Sequence, residues 1–230
     1  MSAGWPRLAA VPTPSTDAAR GGLFVAFEGG DGAGKSTQVR LLVEALARRG
    51  VDDVLVTRQP GGTPLGQALR DLVLHGDHVA PRAEALLYAA DKAQHVELVL
   101  RPALAAGRVV VTDRYVDSSV AYQGAGRDLG VEDVTRLQHW AVGGLLPDLT
   151  VLLDVTAATG RERRGARGAA DRLEAEGDDF HDAVRRHFLL LAQADPQRYV
   201  VVDAALPPEE AHALVLARVG QALDRLGVQA

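Results

Sequence analysis

Apolar positions along this chain fall into two patterns. Short uninterrupted runs occur at Leu23–Phe27, closed by Glu28 and a glycine cluster, and at Val54–Val56. They recur at Val109–Val111, closed by Asp113, at Val151–Leu153, closed by Asp154, and at Tyr199–Val202. Each run predicts a strand. Between the first two, Val39, Leu42, Val43 and Leu46 recur at helical spacing within Lys35–Arg49, and Gly50 is a stop signal. Leu65–Leu74, Ala83–Ala105 (beginning just after Pro81), Val131–Val142, Asp179–Ala194 and Pro208–Leu226 predict further helices. The strand runs are continuous and do not alternate with polar residues, which is how strands buried on both faces of a parallel sheet read. The expected fold class is α/β, a doubly wound parallel sheet whose ligand lies beyond the carboxyl ends of its strands. One domain is expected over 23–230. Residues 1–22, with Trp5-Pro6, Pro12, Pro14 and Ser15, lack a sustained apolar stretch and are expected to form a flexible leader, not a signal peptide.

The first strand run leads into Gly29-Gly30-Asp31-Gly32-Ala33-Gly34-Lys35-Ser36, followed by Thr37. This fits G-x-x-x-x-G-K-[ST], the phosphate-binding loop of P-loop NTPases. Glycines let successive backbone N–H groups turn inward toward phosphate oxygens. The helix that opens at Lys35 adds the positive end of its dipole. Lys35 reaches the β- and γ-phosphates, and the Ser36 hydroxyl is a ligand for Mg²⁺. Strand before and helix after supply the required context.

A GTPase would need a guanine-reading Asn-Lys-x-Asp segment, which a chain without asparagine cannot contain. A motor-type ATPase usually ends its Walker B strand in paired acids. Here the strand ends read Asp113-Arg114 and Asp154-Val155, with no second carboxylate to activate water. A phosphorylated acceptor brings its own nucleophile and needs arginines instead. Those stand in Thr57-Arg58-Gln59-Pro60-Gly61-Gly62-Thr63 and in Asp113-Arg114-Tyr115-Val116-Asp117-Ser118-Ser119-Val120-Ala121-Tyr122-Gln123-Gly124. With the phosphate loop, these segments closely resemble bacterial thymidylate kinases, from Leu23 to the C-terminal helix.

The resemblance implies a five-stranded parallel sheet, a homodimer, ATP as donor with Mg²⁺, and dTMP as acceptor. It implies that Asp31 lies near the acceptor sugar and metal, and that Asp113 lies near the waters of Mg²⁺. It assigns the acceptor phosphate to Arg58, Arg70 and Arg114, the thymine face to Tyr88, and further nucleotide contacts to Lys92, Ser119, Tyr122 and Gln123. The segment of about 156–172 resembles the arginine-bearing lid of family members without a base in the phosphate loop. Arg163, Arg164 and Arg167 are its candidates for neutralising the transferred group, Arg167 first, with Arg172 as an anchor at the far end. Glycines 160, 165 and 168 favour a mobile lid because they cost helix stability. Three positions depart from the family. Gln59 stands where glutamate is common, Tyr88 where phenylalanine is usual, and Lys92 where arginine is usual, and a lysine lacks the planar fork.

Composition narrows the rivals. Lysine occurs only at Lys35 and Lys92, so Lys92 stands out in an arginine-rich chain. Tyr88 and Lys92 share one helix face at i, i+4. Read alone, Tyr88 also fits a core position, and the arginine run also fits a solvated helix face. Asp154 reads as a helix cap before Thr156. The net charge of −5 argues against a nucleic-acid partner. The absence of cysteine excludes disulfides and thiolate metal sites. No segment approaches the ~18 apolar residues of a membrane helix, so no membrane is expected and a cytoplasmic location is the simplest expectation. The seven histidines show no metal spacing. A kinase for another monophosphate or a nucleoside, and a non-catalytic P-loop binding module, remain as rivals.

Overall fold

The computed structural model describes residues 21–165 and 171–227. Five strands, β1 (Phe24–Gly29), β2 (Val54–Arg58), β3 (Val109–Asp113), β4 (Leu149–Asp154) and β5 (Tyr199–Asp203), form one sheet in the order β2-β3-β1-β4-β5. All pairings are parallel. The order reverses at β1, whose neighbours are β3 and β4. Its carboxyl end is therefore the switch point at which such sheets bind ligands.

Alternate residues of β1 face opposite layers. Val25 and Phe27 pack with Leu42 and Leu46 of α1 (Lys35–Ala47) and with Val215 and Val219 of α9 (Pro208–Leu226). Phe24 and Ala26 face the other layer, with Leu100, Leu104 and Tyr115. There the Tyr115 ring meets Phe24 edge-on at 5.0 Å, and its hydroxyl donates to Leu145 O at 3.0 Å. Each fully buried side chain of this kind contributes roughly 1.5–3 kcal/mol. The outer strands differ from the expectation of burial on both faces. Val56 of β2 and Val201 of β5 are about half exposed, because edge strands have a neighbour on one side only.

The remaining helices are α2 (Pro64–His75), α3 (Pro81–His95), α4 (Arg101–Ala105), α5 (Val116–Ser119), α6 (Val131–Ala141), α7 (Ala157–Gly165) and α8 (Asp178–Ala194). The long helix expected over Ala83–Ala105 is interrupted by a π-helical turn at Val96–Leu100, just before Pro102. A second π-helical turn, Val120–Gly126, extends α5. Sequence spacing predicts no helix there. The arginine-rich segment is helical over Ala157–Gly165 despite its glycines. Among the described residues, no helix is long and apolar enough to cross a membrane.

Candidate active site

The loop Gly29–Ser36 turns directly off β1. Gly29 (φ 131°) runs against β4, where a Cβ would meet Leu153 O at 2.3 Å. Gly32 (φ 83°) runs against α7, where a Cβ would meet Gly160 O at 2.6 Å. No residue but glycine fits either position. Ala33 N donates to Gly30 O at 3.3 Å. Lys35 opens α1, and its ammonium donates to Gly29 O at 3.1 Å and Gly30 O at 3.0 Å. Burial and the nearby Arg114 push its pKa down, against Asp113, Asp31 and Glu28. Asp31, Gly32, Gly34, Lys35, Ser36 and Thr37 line a cleft of about 370 Å³.

Arg114, at the end of β3, is held across this loop. Its backbone is left-handed (φ 68°), an uncommon state for a side-chain-bearing residue. The guanidinium donates to Asp31 Oδ1 (2.5 Å), Gly29 O (3.1 Å), Ser118 Oγ (2.9 Å) and Tyr122 OH (3.2 Å). Tyr122 OH donates in turn to Asp31 Oδ2 at 2.8 Å. Burial would raise the Asp31 pKa, but Arg114, Lys35 and the Tyr122 hydroxyl outweigh it and hold the carboxyl below the usual range. Glu28 lies beneath, fully buried. Its Oε1 accepts from Tyr115 N (2.8 Å) and Ser118 N (3.1 Å), and its Oε2 from Ser118 Oγ (2.5 Å). Burial, then Asp117, raises its pKa to about 7.

The cleft continues along Arg58, Gln59, Arg70, Tyr88, Lys92, Ser119, Tyr122 and Gln123. Arg58 and Arg70 flank Gly61, and Arg70 Nη1 donates to Pro60 O at 3.1 Å. Lys92 is buried with its ammonium donating to Ser119 Oγ at 2.8 Å and lying 5.4 Å from the centre of the Tyr88 ring. Burial lowers its pKa to about 8, with Asp91 and Glu28 opposing. Gln59 Nε2 meets His95 Nδ1 at 2.7 Å, and His95 Nε2 meets Thr57 Oγ1 at 2.8 Å. Burial and Lys92 lower the His95 pKa to about 4, so the ring is neutral near pH 7 and Gln59 is the donor to Nδ1.

Asp113 lines the same cleft as Ser36, and its buried Oδ1 has no hydrogen-bond partner. Mg²⁺ keeps several waters and takes one or two protein oxygens beside substrate phosphates. An orphaned carboxylate oxygen and a hydroxyl next to the phosphate loop fit that donor set. Among the described residues, no cluster of three or more His, Cys, Asp or Glu forms a metal cage of its own.

Of the lid residues, Arg163 donates to Ala204 O at 2.9 Å and lies 3.5 Å from Gly32 O. Arg172 donates to Val73 O at 2.8 Å and pairs with Glu84. Arg164 belongs to α7, and Arg167 lies outside the described residues. Most of the leader, residues 1–20, lies outside them as well. Asp154 does not cap α7. It forms a two-pronged pair with Arg185 of α8, at 2.7 and 2.8 Å. Thr156 is the capping residue, its Oγ1 accepting from Thr159 N at 3.2 Å.

Glu28, Glu84, Ser118 and His95 join the site's network, although sequence reasoning assigns them no role. An acid closing a wholly apolar strand, as Glu28 does, was the one available signal. The others became visible only through tertiary contacts.

The family model "Thymidylate kinase" matches residues 27–215. A thymidylate kinase of Clavibacter sepedonicus is 59% identical over 199 residues, covering 86% of this chain and 94% of its own length. One from Cutibacterium acnes is 55% identical over 207 residues, covering 89% of this chain and all of its own. The crystal structure of thymidylate kinase from Ehrlichia chaffeensis superposes with a TM-score of 0.70 at 29% identity, covering 86% of this chain and 98% of that one. With the phosphate loop at the switch point of a five-stranded parallel sheet, these matches show that the chain belongs to the thymidylate kinase family.

Proposed function

We propose that the cleft carries out the reaction of its family, transfer of the γ-phosphoryl group of ATP to dTMP, giving ADP and dTDP. The observation that supports this most is one continuous cleft. The same cavity is lined by Lys35, Ser36 and Thr37 of the phosphate loop, by Arg58, Arg70 and Arg114, and by Tyr88, Lys92, Ser119, Tyr122 and Gln123. In this reading the loop Gly29–Thr37 holds the donor phosphates. Arg58, Arg70 and Arg114 grip the acceptor phosphate, and the remaining side chains hold thymine and deoxyribose.

Phosphoryl transfer depends on positioning and charge neutralisation. Arg114 is already fixed by four hydrogen bonds, so little reorganisation is needed when the acceptor arrives. The attacking phosphate oxygen is anionic, and no protein base has to deprotonate it. Bound with ATP, Mg²⁺ would offset phosphate charge, and Ser36 and Asp113 are the oxygens that would hold it. Arg163, Arg164 and Arg167 of the lid supply further positive charge, with Arg172 anchoring its far end.

The same reading makes the chain a cytoplasmic homodimer. Leu86 on α3 and Trp140 on α6 are large apolar side chains left 57% and 79% exposed, which a second copy could cover. Sedimentation equilibrium should give twice the 24.3 kDa chain mass. The reaction is tested with ATP labelled at the γ-phosphate. Label should appear in dTDP when dTMP is supplied and stay in ATP when thymidine is supplied, and Lys35→Met or Lys35→Ala should abolish the transfer with circular dichroism unchanged. Transfer to thymidine, or a near-normal rate in either variant, would contradict the proposal.

A further inference from the structure

Glu84 stands in the first turn of α3, fully buried and outside the lining of the cleft. Its two oxygens are taken from two directions. Oε1 accepts from Gln123 Nε2 at 2.8 Å, and Oε2 accepts from Arg172 Nη2. Arg127 Nε lies 3.6 Å from Oε1, and Arg127 also pairs with Glu176 at 2.5 Å. A carboxylate paired with arginines offers acceptors only. The Gln123 amide must therefore turn its NH₂ toward Glu84. Its carbonyl oxygen is the polar atom left for the cleft that Gln123 lines.

We infer that Glu84 is a positioning residue that locks the Gln123 amide with its carbonyl toward the acceptor base, and so selects pyrimidines that carry N–H at ring position 3. The inference rests on the functional reading above. Thymine and uracil have a donor at N3. Cytosine has a lone pair there, which would face the Gln123 oxygen with no proton between them. An amide free to turn would meet either base with a complementary group, so the discrimination resides in the lock. Buried polar sites built this way reject mismatched ligands strongly, because the protein group is left unpaired. Arg172, at the downstream end of the lid segment, holds the other oxygen and so ties the lid's stem to the same device.

Replacing Glu84 with glutamine tests this, because a second amide can donate or accept and no longer dictates the Gln123 orientation. In Glu84→Gln the ratio of kcat/KM for dTMP over dCMP should fall about tenfold or more. The ratio for dTMP over dUMP should stay within about twofold, since both carry N3–H. A purely structural role would depress all three acceptors in parallel, and that result would overturn the inference. In a Gln123→Met background, adding Glu84→Gln should change the dTMP-to-dCMP ratio no further. A further loss there would mean that Glu84 does not act through Gln123. If Glu84→Gln does not fold, a crystal structure of the wild-type enzyme with dTMP decides. Gln123 should remain on Glu84 with its other amide atom about 3 Å from N3, and a Gln123 that swings away from Glu84 would overturn the inference. A wild type that prefers another acceptor removes the functional reading and the inference together. A wild type that selects dTMP while Glu84→Gln keeps its discrimination removes the inference alone.

Discussion

Lys92 carries its charge into a buried position, and burial lowers its pKa to about 8, with Asp91 and Glu28 pulling the other way. Because the folded-state pKa is depressed, the ammonium is present near neutral pH and is lost as pH rises through about 8. The log of kcat/KM for dTMP should bend downward there, while KM for ATP shows no matching change. Lys92→Arg stays charged and offers two donors, so its profile should lose the bend and dTMP should bind at least as well. Lys92→Ala should raise KM for dTMP and leave KM for ATP nearly unchanged. A bend that persists in Lys92→Arg would assign it to another group. Residues of this kind are partly legible in sequence: Lys92 stands out among arginines and shares a helix face with Tyr88. Glu84 does not stand out, and Gln59 stands out only as a departure from the family, with no sign of its partner. An acid in the first turn of a helix and a glutamine after a strand look the same whether they face solvent or a buried partner. Their roles come from Gln123 and His95, 39 and 36 residues away.

At the scale of elements, the end of β1 supports both the phosphate loop and the turn into α5. Glu28 makes that link by accepting from Tyr115 N and Ser118 N. Burial raises its pKa to about 7, from an ordinary value of 4.5. The folded state therefore holds the proton more tightly than the unfolded chain. The associated stability is fully present below about pH 4.5 and is lost as pH rises through about 7. Glu28→Gln keeps a carbonyl oxygen for both N–H groups and should lack this part of the pH dependence. Denaturation midpoints from pH 4 to 8 for wild type and variant would show it, and parallel curves would contradict it. The α5 segment and its π-helical turn escaped the sequence pattern because Ser118, Ser119, Gly124 and Gly126 give it poor helix propensity. Tertiary packing of Val116, Val120 and Tyr122 overrides that cost. For the lid, the sequence expectation stands as a test. Arg167→Ala should lower kcat by ~10³ with much smaller changes in either KM. Arg163, tied to Ala204 and the phosphate loop at Gly32, is the comparison. If alanine at 163, 164 and 167 each leaves kcat within a few-fold, the charge comes from elsewhere.

At the scale of the molecule, the parallel strand order β2-β3-β1-β4-β5 puts the phosphate loop, the β2 turn and the β3 turn side by side at the carboxyl ends of the strands. The class of fold was legible because continuous apolar runs alternate with helical spacing. The order itself was not, since nothing in a run of valines says which strand lies beside it. That order brings Arg58 at the end of β2, Arg114 beyond β3 and Lys35 beyond β1 into one cleft. The central claim is that this cleft takes a thymine nucleotide as phosphoryl acceptor. The most direct test compares kcat/KM for dTMP, dUMP, dCMP and dGMP with ATP as donor. The account predicts dTMP first and dUMP weaker by about fourfold or more, since the extra methyl group is worth ~0.8 kcal/mol on burial. It predicts dCMP and dGMP far behind both, and a preference for either of them would contradict it.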